Sequence, residues 1–134
     1  MTAIPTAGVH HVALTVTDVK RSQHFYTEFL GFNHLTDLGP RALLHNGTVL
    51  LGIGPAPDPA QAPANDRFNE NRIGLDHISL SVAGMAELEA ALALLDANGV
   101  PHGDLLRLDA FGIAVLPFRD PDNIQVELTA PLAA

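Results

Sequence analysis

The 134-residue sequence contains no cysteine, which excludes disulfide bonds, thiolate metal ligands and cysteine nucleophiles. No apolar run approaches the roughly 18 residues of a membrane span, and no basic and apolar leader typical of a signal peptide is present. The seven lysines and arginines form no cluster and the formal net charge is −8, which argues against binding to nucleic acid or to an anionic membrane surface. We therefore expect a cytoplasmic protein whose partner is a small molecule.

One strand-like motif occurs twice. Residues 11–16 read HVALTV, and residues 77–82 read HISLSV, 66 positions later. Each copy begins with a histidine and is followed by a helix-like run. Repetition at a fixed offset is the signature of an internal duplication, so we expect the two halves of the chain to share one fold.

The pattern of apolar residues and turn signals assigns the same order of elements to both halves. In the first half, strands are predicted over 9–16, 32–38, 41–45 and 48–53 and a helix over 19–30. In the second half, strands are predicted over 72–82, 105–108, 111–118 and 124–129 and a helix over 85–98. The expected fold is α+β, with two tandem βαβββ modules.

A proline-rich stretch separates the two modules. Four prolines fall between residues 54 and 71 among alanine, aspartate and asparagine, a composition typical of a linker. The predicted organisation is a first module over 1–54, a linker over 55–71 and a second module over 72–134.

Three side chains are candidate metal ligands: His11, His77 and Glu127. The two histidines occupy matching positions of the repeat, and a glutamate in an otherwise apolar strand is costly to bury unless something cationic meets it. Neutral imidazole and carboxylate suit Fe²⁺, Mn²⁺, Ni²⁺ or Zn²⁺, and three protein ligands leave positions open for substrate or water. We therefore predict one divalent ion per chain.

His10 is the main rival of His11. Alternation along a strand sends adjacent side chains to opposite faces, so the sequence predicts that only one of the two faces the site. We prefer His11 because its register matches that of His77. The remaining histidines are expected at the surface or in turns: His24, His34, His45 and His102.

The chain resembles the vicinal oxygen chelate superfamily, which includes glyoxalase I, fosfomycin-resistance proteins, bleomycin-binding proteins and extradiol dioxygenases. The segments that carry the resemblance are 11–14 (HVAL), 25–32 (FYTEFLGF), 75–80 (LDHISL), 118–123 (FRDPDN) and 126–128 (VEL). The resemblance implies that the strands form a cupped mixed sheet with the metal inside, held at the positions of His11, His77 and Glu127.

Members of the glyoxalase I type use a fourth protein ligand in the first module. When the two modules are aligned through Asn46-Gly47 and residues 122–123, that position is Leu51, which leaves a three-ligand site. Extradiol dioxygenases also place a histidine and a tyrosine shortly before the glutamate ligand, whereas residues 109–118 contain neither. We expect Leu51, Ile113 and Val115 to form an apolar wall that selects an apolar or aromatic substrate.

Two functions follow from these observations. The first is a metal-dependent enzyme, a dioxygenase, isomerase or lyase, that acts on a small oxygenated metabolite. The alternative is a metal-free protein that sequesters an apolar compound, as the bleomycin-resistance branch of the superfamily does. In either case a homodimer is expected, because an open sheet leaves strand edges that a second copy can cover.

Overall fold

A computed structural model describes residues 2–133. The chain divides into two compact units, Met1–Ala64 and Asn65–Ala134. Each unit contains a four-stranded mixed sheet and one α-helix, which confirms the α+β class and the two βαβββ modules. Within the described part of the chain, no helix is both long enough and apolar enough to cross a membrane.

The first unit follows the predicted order of elements. Its elements are β1 (His11–Thr15), α1 (Val19–Leu30), β2 (Asn33–Leu38), β3 (Arg41–His45) and β4 (Leu50–Gly54). The strands lie in the order β1-β4-β3-β2, with β1 parallel to β4 and the other pairs antiparallel.

The second unit repeats this arrangement. Its elements are β5 (Ile78–Ser81), α2 (Met85–Ala97), β6 (Leu106–Leu108), β7 (Ile113–Arg119) and β8 (Gln125–Pro131). The strands lie in the order β5-β8-β7-β6, again with the first and last strands parallel. The identical topology confirms the duplication.

Helix α1 is delimited by its capping residues. The side chain of Asp18 accepts a hydrogen bond from the backbone N–H of Arg21 at 3.1 Å, which satisfies a donor of the first turn. Gly31 follows the last turn in the left-handed conformation, with φ 68°, and its N–H donates to the carbonyl of Tyr26. These caps place the helix where the sequence predicts it.

The two faces of each sheet differ. Alternate residues of β3 and β8 are buried, and these lie on the helix-packed face, against which α1 or α2 lies. In the first sheet this face includes Leu44, paired with Leu51. In the second sheet it includes Phe118, paired with Val126. The intervening residues point away from the helix, and we call this side the distal face.

The segment before β5 is not a strand. The sequence predicts a strand over 72–82, but β5 begins only at Ile78, and Gly74 has a φ of 142° that interrupts extended backbone. Residues from Asn65 onward belong to the second unit, although the sequence assigns residues 65–71 to the linker. This segment leads directly into the candidate site.

Candidate metal centre

His77 and Glu127 lie side by side at the distal face of the second sheet. Ser79 pairs with Glu127 in the parallel β5–β8 ladder, so the strand start at His77 lies beside the middle of β8. His77 Nε2 is 3.6 Å from Glu127 Oε1. This distance is too long for a hydrogen bond. The two side chains retain 35% and 17% exposure, so both remain accessible to a ligand.

The other ring nitrogen of His77 is held by Asp76. Asp76 Oδ1 lies 2.7 Å from His77 Nδ1, and the same carboxylate oxygen accepts a hydrogen bond from Gln125 Nε2 at 3.2 Å. A carboxylate behind a histidine fixes the orientation and the tautomer of the ring. The Nε2 atom is therefore the one presented toward Glu127.

Glu127 is itself oriented by neighbouring hydroxyls. Thr129 Oγ1 donates to Glu127 Oε1 at 3.2 Å, and Thr129 also makes a short hydroxyl–hydroxyl contact with Ser79. Because alternate residues of β8 share a face, Gln125, Glu127 and Thr129 all project to the distal side. The sheet thus places one imidazole and one carboxylate together on a hydrogen-bonded polar surface.

An ion pair ties the segment before His77 to the β7–β8 turn. Arg119 donates two hydrogen bonds to Glu70, at 2.8 and 2.7 Å. This guanidinium lowers the pKa of Glu70 to about 2, mainly by hydrogen bonding. Asn123 Nδ2 donates to the carbonyl of Phe68 at 3.0 Å, and the Phe68 N–H donates to the carbonyl of Asp122 at 3.0 Å. Residues 68–70 are therefore fastened to the turn that precedes the strand of Glu127.

His11 is the first residue of β1, in the first unit, and its side chain is exposed. Its ring meets that of His10 edge-on, with Nδ1 to Nδ1 at 2.9 Å and the ring centroids 5.1 Å apart. Strand alternation does not separate these two side chains, because β1 begins at His11 and His10 lies outside the pleat. Among residues 2–133, no three histidine, aspartate or glutamate side chains form a metal-binding group. The role of His11 as a third ligand stays a prediction.

The position of the first module that corresponds to Glu127 is Gly52, so the sequence alignment with Leu51 is wrong by one residue. Gly52 pairs with Ala13 and Leu43, as Glu127 pairs with Ser79 and Pro117; these pairs are given by the strand registers. Four residues separate the paired His45 and Leu50, whereas five separate Arg119 and Gln125, so matching the turns shifts the strands. Leu51 itself is buried on the helix-packed face with Leu44.

Gly52 also fits the expectation that the first module has no fourth ligand at this position. Gly52 has no side chain to offer a metal. A Cβ atom there would meet Leu43, Arg41 and Ala13 only at ordinary contact distances of 3.5 to 3.7 Å, so there is room for one. Position 52 therefore has no side chain because of the residue present and not for lack of space.

Ile113 and Val115 lie on the same face of β7 as Pro117, which pairs directly with Glu127. Val115 pairs with Thr129 on one side and with Leu106 of β6 on the other. The distal face of the second sheet is therefore apolar on the β6–β7 side and polar on the β5–β8 side. Pro117 could not be assigned to the site from the sequence, because its pairing with Glu127 depends on the register of β7 and β8.

Asp76 and Gln125 were also missed by the sequence reasoning, although both left a signal. Asp76 directly precedes the repeated histidine, and Gln125 lies two residues before Glu127, which places both side chains of β8 on one face. Two of the histidines that the sequence places at the surface or in turns also contact carboxylates. His34 and His102 contact the carboxylates of Asp37 and Asp96.

Comparison with known proteins places the chain in a family. A sequence model of the Glyoxalase/Bleomycin resistance protein/Dioxygenase superfamily matches residues 8–128, and the chain belongs to this superfamily. It is 29% identical over 128 residues to the protein YaeR of Escherichia coli (strain K12), covering 90% of this chain and 93% of YaeR.

Solved structures share the fold over nearly the whole length. A glyoxylase/bleomycin resistance protein/dioxygenase domain from Frankia sp. EAN1pec has a TM-score of 0.75 and 30% identity, with 95% of this chain and 93% of that chain covered. Lactoylglutathione lyase from Agrobacterium tumefaciens has a TM-score of 0.73 and 21% identity, with 95% and 96% covered. At that identity the second similarity concerns the fold alone.

Proposed function

We propose that the protein is a metal-dependent enzyme, a dioxygenase, isomerase or lyase, that acts on a small oxygenated metabolite. The observation that carries this proposal is the pairing of His77 Nε2 with Glu127 Oε1 at 3.6 Å, with Asp76 behind the imidazole. With metal–ligand bonds of about 2.0 to 2.2 Å, two ligands at a tetrahedral angle stand roughly 3.4 Å apart. The pair therefore needs only a small adjustment to bind one ion.

His11 is the proposed third ligand. It matches His77 in the repeat and supplies the second imidazole of a set of two nitrogens and one oxygen, which suits Fe²⁺, Mn²⁺, Ni²⁺ or Zn²⁺. A metal bound by these side chains would supply Lewis acidity for a substrate with neighbouring oxygen atoms.

The proposed substrate has an apolar or aromatic body. Ile113, Val115 and Pro117 form an apolar strip directly beside Glu127 and Thr129, and the β6 strand adds Leu106 and Leu108. Such a strip stabilises an apolar group by removing it from water. His77 and Glu127 orient the oxygenated end, while the strip holds the rest of the molecule.

We also propose that the protein is a cytoplasmic homodimer, and the strand edges support the dimer. Strands β2 and β6 each end their sheet with an unpaired edge and carry the exposed Leu38 and Leu106. A second copy can cover such edges. Sedimentation at tens of micromolar is expected to give a dimer, and a monomer there would contradict this assignment.

Metal analysis tests the proposed function. The purified protein, loaded with Zn²⁺ and freed of excess ion, should hold about one ion per chain. Glu127→Gln, His77→Ala and His11→Ala should each abolish binding at micromolar Zn²⁺, because each removes a ligand. Glu28→Gln on the exposed side of α1 is the matched control and should bind normally.

Retention of about one ion per chain in Glu127→Gln would contradict the proposed ligand set. A wild-type protein that binds none of Fe²⁺, Mn²⁺, Ni²⁺ or Zn²⁺, but takes up an apolar probe, would instead favour the metal-free alternative.

A further inference from the structure

The residue before each predicted ligand histidine contacts the same ring nitrogen of that histidine. In the second unit, Asp76 Oδ1 lies 2.7 Å from His77 Nδ1. In the first unit, His10 Nδ1 lies 2.9 Å from His11 Nδ1. Positions 10 and 76 are equivalent in the repeat. Each contact therefore engages Nδ1 and leaves Nε2 of the following histidine available.

From this geometry we infer that Asp76 and His10 are positioning residues, which select Nε2 of His77 and of His11 as the metal-binding atom. The inference rests on the proposed metal site. A neutral imidazole carries one proton, and a carboxylate can only accept a hydrogen bond. Contact with Asp76 therefore places the proton of His77 on Nδ1 and the lone pair on Nε2, the atom that faces Glu127.

Asp76 is itself fixed to the strand that carries Glu127. Gln125 Nε2 donates to Asp76 Oδ1 at 3.2 Å, and Gln125 lies two residues before Glu127 on the same face of β8. The orientation of His77 is consequently coupled to the position of its partner ligand. The second unit presents a preorganised pair.

His10 differs from Asp76 because an imidazole nitrogen can donate or accept. When His10 Nδ1 accepts, His11 carries its proton on Nδ1 and presents the lone pair of Nε2, as His77 does. When His10 Nδ1 donates, His11 carries its proton on Nε2, and that atom cannot bind a metal. The second unit thus holds its ligand in one tautomer, whereas the first unit allows two.

The tautomer of His77 is measured first, on the metal-free, full-length protein. Nitrogen-15 NMR at about pH 8.5, roughly two units above the ordinary histidine pKa, reports which ring nitrogen carries the proton. We expect the proton on Nδ1 in the wild type and in Asp66→Ala, an exposed-carboxylate control, and a shift toward Nε2 in Asp76→Ala. A proton on Nε2 of His77 in the wild type would overturn the inference.

Metal affinity is measured second, by competition of the full-length protein with a chelator for Zn²⁺. Asp76→Ala should weaken binding by about 10- to 100-fold, the range for loss of a group that orients a ligand. His10→Asp replaces the ambivalent partner with a fixed acceptor and should tighten binding by about threefold or more. His24→Asp adds the same charge on the exposed side of α1 and should change little.

These measurements separate the two proposals. Failure of the wild type to bind Zn²⁺ would refute the metal site, while the NMR result would still decide whether Asp76 selects the tautomer of His77. Normal Zn²⁺ binding that is unchanged in both Asp76→Ala and His10→Asp would overturn the inference and leave the metal site standing.

Discussion

The two units share one topology but differ in what their distal faces carry. The register places Glu127 on β8 of the second unit where β4 of the first has Gly52. Before the matching histidines, the second unit has the carboxylate Asp76 and the first has the imidazole of His10. The comparison shows that the buried pattern needed for folding was retained in both units. At these two equivalent positions the second unit has the carboxylates Glu127 and Asp76, whereas the first unit has Gly52 and His10.

The helix-packed faces show why the fold was retained. Leu44 and Phe118 occupy equivalent positions, and both are essentially inaccessible to solvent. Truncating a side chain in such a place costs several kcal/mol, which is a large share of the stability of a small domain. The distal position shared by Glu127 and Gly52 does not face the helix, so the side chain there can diverge.

The largest expected effect separates the two faces of β4. Leu51→Glu places a charge on the helix-packed face, where it has no partner, and should lower the free energy of unfolding by about 3 to 5 kcal/mol. Gly52→Glu lies beside Arg41, whose cationic side chain compensates for the charge, and should cost about 1 kcal/mol or less. Chemical denaturation measures both values.

The same two variants test the fourth-ligand correction. The wild type should have negligible glyoxalase activity with methylglyoxal and glutathione, because position 52 offers no carboxylate. Weak activity should appear in Gly52→Glu and not in Leu51→Glu. In the denaturation experiment, an equal loss of unfolding free energy in Leu51→Glu and Gly52→Glu would show that the register assigned to β4 is wrong.

A smaller effect concerns the ion pair between Glu70 and Arg119. Glu70→Gln loses the charge-assisted hydrogen bonds that fasten residues 68–70 to the β7–β8 turn. The segment that leads to Asp76 and His77 should loosen, and Zn²⁺ affinity should fall about tenfold. Asp66→Asn, which weakens the exposed pair with Arg72 and leaves the pair of Glu70 and Arg119 intact, is the control. Equal Zn²⁺ affinity in Glu70→Gln and Asp66→Asn would show that the ion pair of Glu70 and Arg119 does not support the metal site.

The smallest expected effect is the pH-dependent contribution of His102 in the second unit to the free energy of unfolding. The Gly103 carbonyl and then Asp96 raise the pKa of His102 above 6.5. Its contribution to stability is therefore complete below about pH 6.5 and is lost as the pH rises through the folded-state pKa. The stability difference between the wild type and His102→Asn should be larger at about pH 5 than at about pH 9. A difference that grows with pH would contradict the assigned partners.

Much of the fold was predictable from the sequence. Alternating apolar residues and the Asp18 and Gly31 caps located the elements, and the repeat predicted the shared topology. The register was not predictable, because it depends on turn length. Asn46 accepts hydrogen bonds from the N–H groups of residues 48 and 49, and Asp120 accepts from those of residues 122 and 124, so each turn has its own internal bonding.

The candidate site was predictable only in part. His77 and Glu127 were predicted from residue type and repeat position, and the structure places them 3.6 Å apart. Asp76 acts through its contact with a ring nitrogen, which a linear pattern does not specify. The role of Glu70 depends on a contact across 49 residues of chain, and no local signal predicts that.

X-ray absorption of the Zn²⁺-loaded protein tests most directly that His77 and Glu127 form the metal-binding pair of the second unit. The account predicts imidazole scattering from two histidines in the wild type, with oxygen atoms as the remaining ligands of the Zn²⁺ ion. For His77→Ala at a Zn²⁺ concentration high enough to load the variant, it predicts scattering from only one imidazole. A shell of oxygen alone in the wild type, or an unchanged imidazole signal in His77→Ala, would contradict it.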